Sequence, residues 1–483
     1  MYENHGWLAG FDPSKYDRNA PVSDYTGIVA QYRGDNVTRS IFRTPALRVA
    51  PRIGFAYDLT GAGNTVIRGG GGVFRYRDAG VLQEVNHANP PLQRSVDILA
   101  PNLLSDIDRL DPREFLTKPN EAQLLDPFDK HVPTTYSWSL TLSKRIPSKT
   151  VIEASYVGTT SRNQMNTQDI NYNAVPEGAL FPYLDDPGFL EDPQGFAQSF
   201  RPFPTYGTLA LRRHIFTQHY HALQLTAQRW TGRINYSVAY TFSKALGTLG
   251  LTQQFGGLDS FDLRGRLYGV LPYDRTHSLR IAFNVMLPNP TRNRILRHPL
   301  NGWQVSGITS FESGSPFQIV SENFAGTILM NGTSIDGDDL GGENAALFIA
   351  GTPDTTVEPA LTCDPREGLD KNQWANPNCF AAPSRGQNGT YQLPYLKRPA
   401  RQNHDLSLFK NFQWGSKEHQ KLQFRFSMYN FVNHPLWVFE QGDPGLVLNF
   451  DQGALQQDSI ENFGRPIKKR GKRIMQFGFK FFF

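Results

Sequence analysis

Two cysteines in 483 residues is little thiol. Cys363 and Cys379 stand in LTCDPREGLDKNQWANPNCF without a CxxC or a Cys/His spacing, which excludes a zinc finger or a dithiol redox centre. Charged residues are scarce as well, at 19%, so the chain is no disordered polyelectrolyte. A net charge of +5 is too mild at this length to imply a nucleic-acid partner. No window holds 18 consecutive apolar residues, which excludes a transmembrane helix. The opening MYENHGWLAGFDPSKYD has neither a basic n-region nor an apolar h-region, so it is not a secretory signal. There is no GxSxG, no P-loop and no paired-carboxylate constellation, so neither an enzyme nor a cofactor is expected.

Aromatic residues are abundant at 12%, alongside 43 Gly and 33 Pro, yet mean hydropathy is only −0.45. A chain that is aromatic-rich but polar on average fits a membrane β-barrel, where only alternate residues of each strand meet lipid. Period-two alternation supports this. In 233–243, Ile234, Tyr236, Val238, Tyr240 and Phe242 share one face against Asn235, Ser237, Ala239, Thr241 and Ser243. Segments 134–145, 277–287 and 473–483 alternate as clearly, and weaker members lie at 49–58, 65–76, 150–158, 221–230, 303–312, 403–412 and 420–431. These eleven segments run 9 to 12 residues, the length of a tilted membrane strand (about 9–11) rather than of a globular one (about 5–6). Trp138, Trp230, Tyr236, Tyr240, Trp303 and Phe311 fit interfacial girdles; a soluble sandwich core would show the same alternation strand by strand.

The connections discriminate. Short ones (59–64, 146–149, 231–232, 288–302, 413–419) alternate without exception with long ones (77–133, 159–220, 244–276, 313–402, 432–472). Outer-membrane barrels place tight periplasmic turns on one rim and long extracellular loops on the other. The expected fold is therefore an all-β antiparallel transmembrane barrel. Eleven strands is odd, and a bilayer tolerates no open strand edge. The chain thus reads as the C-terminal part of a larger barrel, 49–483, preceded by an extracellular loop remnant, 1–48.

Several motifs carry the resemblance to a family: PRIGFAYDLTGAGNTVIRGGGGVF (51–74), YHALQLTAQRWTGRINYSVAYTFSKALG (220–247), GWQVSGITSFESGSPF (302–317), NPNCFAAP (376–383), DLSLFKNF (405–412), LQFRFSMYNFVNHP (422–435) and FGRPIKKRGKRIMQFGFKFFF (463–483). The chain resembles the Oar-like group of TonB-dependent outer-membrane receptors. That resemblance implies residence in the outer membrane of a Gram-negative bacterium. It also implies a full protein with a signal peptide, a carboxypeptidase-regulatory-like β-sandwich and a plug, none of them seen in this sequence. TonB would be reached only through the plug. The extracellular ligand is not readable.

Other features are each weighed against a plainer alternative. Cys363 and Cys379 either form one disulfide pinning an extracytoplasmic loop or remain unrelated thiols; an oxidising compartment favours the disulfide. Phe477, Phe479, Phe481 and Phe483 look like the C-terminal signal read by the outer-membrane assembly machinery, or are simply an apolar last strand. Lys468, Lys469 and Arg470 resemble a nucleic-acid patch, but topology puts them at the extracellular rim, facing lipopolysaccharide phosphates or plain solvent. Gly69 to Gly72 precede a strand-like VFRYR and not a helix, so they permit curvature or close approach of a plug rather than cradle phosphate. His214, His219 and His221 have no metal-site spacing and read as a solvated loop end. Asp336, Asp338 and Asp339 lack the glutamate an EF-hand needs, since Leu347 stands there, which leaves only weak Ca²⁺ binding in the long loop. The competing functions are a structural or adhesive surface protein and a secreted all-β carbohydrate-binding module.

Overall fold

The computed structural model describes residues 6–43, 47–76, 89–90, 120–166, 170–248, 261, 268–293, 295–316, 318–319, 327–331, 345–355, 357, 359–387, 389, 396–413, 420–440, 443–451 and 454–482. Asp336, Asp338, Asp339 and Phe483 lie outside them.

Alternation along the chain becomes one long antiparallel wall. Its strands are β1 (Arg52–Asp58), β2 (Thr65–Arg75), β3 (Thr134–Ile146), β4 (Thr150–Met165), β5 (His214–Arg229) and β6 (Ile234–Thr248). They continue as β7 (His277–Met286), β8 (Trp303–Glu312), β9 (Arg401–Gln413), β10 (Lys421–Tyr429) and β11 (Ile474–Phe482). Each pairs with its neighbours in chain order, from β1 through to β11. A short strand, Tyr268–Val270, adds to the loop end of β6. All eleven segments read from the sequence are strands. β4, β5 and β6 are longer than the alternation indicated, because they run on past the apolar positions into the loop region.

Register decides which residues share a face. Ile67 pairs Leu142, Leu142 pairs Ala154 and Leu140 pairs Tyr156, so their apolar side chains line one surface. Ser143 pairs Glu153 and Thr241 pairs Ser278 on the other surface, which is polar. Both properties arise because successive strand residues point to opposite faces. Glycines on the apolar face are covered by cross-strand aromatics. Phe55 sits opposite Gly69, Trp138 opposite Gly158, and Phe283 opposite Gly307. A Cβ on Gly69 would meet the Phe55 ring at 2.8 Å, and one on Gly158 would run into the Trp138 indole. Ring over glycine shields a backbone that a bare glycine would leave exposed, and pins register. The GGGG run is thus a place where a neighbouring strand's aromatic side chain needs room. In the tight turn between β5 and β6, Gly232 takes φ +84°, a left-handed backbone that favours glycine.

Above the long-loop rim the chain builds a second structure. Ala9–Phe11 pairs antiparallel with Ile28–Ala30 and parallel with Asn120–Leu125, which in turn runs parallel to Tyr206–Arg212. Phe11, Leu124, Tyr206 and Leu209 form the buried centre of this small sheet. A second core joins Val175, Leu180 and Phe189 to Leu347, and a third joins Phe380, Leu396, Leu448 and Phe463. Residues 6–43, which precede the wall, are therefore folded into this cap.

Candidate functional site

The polar face of the wall is laced by charge pairs and hydroxyl bonds. Arg68 donates to Glu153 at 2.7 Å across β2 and β4, and Arg280 to Glu312 at 2.8 Å across β7 and β8. Thr141 and Ser155 share a hydrogen bond of 2.8 Å, and Ser407 donates to Ser427 at 2.9 Å. Such a surface suits water or a polar occupant and not lipid. Near the tight-turn rim a recess of about 590 Å³ is lined by Arg145, Lys149, Glu153, Gln228 and Trp230.

The cap is tied together by buried polar contacts between loops distant in sequence. Asp354 accepts from Arg201 Nη1 at 2.9 Å, from Asn171 Nδ2 at 2.7 Å and from the Val175 N–H at 2.8 Å. This carboxylate joins the loop between β4 and β5 to the one between β8 and β9. A second carboxylate, Asp129, joins the cap to the top of β5. It accepts from the His214 N–H and meets His214 Nδ1, both at 2.7 Å, while its other oxygen meets His131 at 2.9 Å. Burial alone would raise the Asp129 pKa, but the His214 side-chain contact and the backbone donors outweigh it and hold the carboxyl at about 2.

The histidine reading therefore needs correction. His214, His219 and His221 lie on β5 and not in a solvated loop end, and His214 is buried against the Phe42 ring at 5.0 Å. His214 and His219 fall outside the strand segment 221–230, which begins at His221, because polar histidines interrupt the apolar alternation that marks a strand. Among the described residues, no group of three or more His, Cys, Asp or Glu side chains is placed to hold a metal.

Cys363 and Cys379 are joined in a disulfide, with Cα atoms 4.8 Å apart. Beside it, Ala360–Leu361 pairs with Phe380–Ala381 and the Thr362 N–H donates to the Cys379 carbonyl at 2.9 Å. The basic run forms Lys468–Arg470, a short strand paired with Leu436–Val438. There Glu440 accepts from Lys468 and from Arg470, whose Nε lies at 3.0 Å, and Lys469 sits 4.1 Å over the Trp437 ring. Hydrogen bonds from Lys468 and then Arg470 hold the Glu440 carboxyl below its usual range. Sequence reading found the cations but not the acid that partners two of them, nearly thirty residues away. On β11, Phe477, Phe479 and Phe481 are exposed on the apolar face, at 54 to 74%. Phe477 stacks on Phe426 at 4.7 Å.

Comparison with known proteins follows this architecture. Residues 1–476 match the model of the outer membrane beta barrel domain family. None of the curated proteins matches the sequence. Among solved structures, the outer membrane transporter YddB from Escherichia coli is similar at 8% identity and a TM-score of 0.43, over 90% of this chain and 41% of that one. The ferric-catecholate import receptor Fiu from E. coli K12 gives 9% and 0.37, over 89% and 34%. The FrpB iron transporter from Neisseria meningitidis gives 8% and 0.36, over 90% and 39%. The chain thus spans about two fifths or less of the length of these structures. Placement in the outer membrane of a Gram-negative bacterium sets aside a secreted soluble carbohydrate-binding module. From its alternating eleven-strand wall and the family match across nearly its whole length, the chain belongs to the outer membrane β-barrel domain family.

Proposed function

We propose that the chain forms barrel wall and ligand-facing cap of an Oar-like TonB-dependent receptor, acting with a plug that its eleven strands do not include. The observation that carries this reading is the folded cap on the long-loop rim, locked across loops by Asp354 and joined to the wall by Asp129. A cap of this kind offers a shaped outer surface, while the polar wall face offers a lining that a plug or a hydrated solute can occupy. The seven ordered motifs support the Oar-like assignment. The chain would act without catalysis and meet TonB only through the plug.

In the native host, deleting this gene and deleting the TonB gene should abolish accumulation of the same compound, read by comparing cell extracts. If the gene deletion changes accumulation of nothing that depends on TonB, transport is excluded. A second reading, an adhesive surface protein, is favoured by the buried cores of the cap, which make a fixed surface. Loss of surface attachment that persists when TonB is intact or absent would select it.

A further inference from the structure

The wall strands distribute charge unequally between their faces. Their carboxylates are Asp58, Glu153, Glu312 and Asp405. By register all four lie on the polar face: Asp58 opposite Val66, Glu153 opposite Ser143, Glu312 opposite Ser278 and Asp405 opposite Ile308. The apolar face of these strands carries cations and imidazoles but no carboxylate. Toward the tight turns these are Lys144, Arg229 and Lys410, the last lying over the Trp303 and Phe412 rings at 5.4 and 4.9 Å. Toward the long loops they are Arg75, Arg162, His219, His221, Lys244, His277 and His404.

The upper group repeats one arrangement. His221 Nδ1 meets the Tyr156 hydroxyl at 2.7 Å, with the Trp138 ring 5.8 Å away. His277 Nδ1 meets the Tyr240 hydroxyl at 2.8 Å, with Phe242 at 5.2 Å. His404 Nδ1 meets the Thr309 hydroxyl at 3.2 Å, with Phe311 at 5.2 Å. When the hydroxyl donates to Nδ1, the ring proton resides on Nε2, which becomes a donor with no protein partner among the described residues. Lys244 is the cross-strand neighbour of His221. Its ammonium lies 4.0 Å from the buried Asp274, which Lys397 also approaches at 4.0 Å, so this spot keeps a net positive charge.

Height fits a headgroup. At roughly 3.4 Å per residue and a tilt near 40°, the run from Arg229 to His221 climbs about 20 Å, close to the ~25 Å apolar band of such barrels. The occupant at that height, on the loop side, is the outer leaflet. We propose that His221, Lys244, His277 and His404 form a belt that binds the phosphate groups of lipopolysaccharide. Three imidazole Nε2 donors without a protein partner among the described residues, on strand faces that carry no carboxylate and beside the net positive charge at Lys244, are complementary to phosphate oxygens. The Lys468–Arg470 strand is less suited, because Glu440 already partners two of its three cations. The belt acts on lipid along the wall and stands whether or not the chain transports a ligand.

The test is titration of the chain, in zwitterionic detergent micelles, with diphosphorylated lipid A and with the same lipid stripped of phosphate, reading bound lipid by native mass spectrometry. Combined His221→Gln, Lys244→Gln, His277→Gln and His404→Gln should weaken binding of the phosphorylated lipid about tenfold and leave the stripped lipid unchanged. Lys468→Gln, Lys469→Gln and Arg470→Gln together should change it less than twofold. Heat-modifiable gel mobility reports folding. If the fourfold variant loses it, single Lys244→Gln and His404→Gln variants serve instead, each expected to weaken binding two- to threefold. Unchanged binding in folded variants, equal loss for both lipids, or a larger loss in the Lys468–Arg470 variant overturns the proposal. Phosphate-selective binding in a protein without TonB-dependent accumulation keeps the belt and rejects only the transport reading.

Discussion

The wall and the cap use the same apolar residue types in opposite ways. On the wall, Ile53 is 80% exposed and Phe479 74%, and the strands contribute only Met165, Phe216, Ala222 and Ala245 to the buried apolar residues described. In the cap, Phe11, Leu124, Phe189, Tyr206 and Phe463 are almost wholly buried. The difference teaches which solvent each part was made for. Lipid covers the wall, so its apolar face needs no protein partner, and its order rests on the backbone ladder and on cross-strand fits. Water surrounds the cap, so its loops are held by burial of apolar surface and by buried polar pairs.

The largest test of this contrast is Asp354→Ala. It strips a nearly buried Arg201 of its carboxylate and should cost the cap about 3–5 kcal/mol. Limited proteolysis should then cut between β4 and β5 while heat-modifiable mobility of the wall persists; simultaneous loss of both would show that wall and cap are one cooperative unit. Acid probes the cap next. The Asp129 pKa is depressed in the folded state to about 2, so its contribution is complete above the unfolded value of roughly 3.9 and is lost as pH falls toward 2. That loss is about 2 kcal/mol, and Asp129→Asn should flatten cap protection, measured by hydrogen exchange, across this window. The smallest effect belongs to the wall. Gly158→Val displaces the Trp138 indole from its seat and should cost about 1–2 kcal/mol of urea stability in micelles, with cap proteolysis unchanged. A cap that opened in this variant would break the separation.

Legibility in the sequence follows the same division. Tyr236, Val238 and Tyr240 announce a strand because alternation is a local, period-two property, and loop parity then orders the strands. Phe11 and Tyr206 announce nothing, since their shared core depends on segments almost two hundred residues apart. The sequence alone places His214 in a loop, because its partner Asp129 comes from another connection. In the sequence Lys468 and Arg470 face lipopolysaccharide phosphate or plain solvent, because Glu440 approaches them only through pairing of Leu436–Val438 with Lys468–Arg470.

By itself, then, the sequence determined the strand number, their order and which side chains share a face, since a two-residue repeat needs no distant partner to be specified. Only the tertiary structure decided the cap, the partners of its carboxylates and the imidazole belt. Each of these depends on register or on loop packing, and brings together residues whose separation along the chain carries no periodic signal.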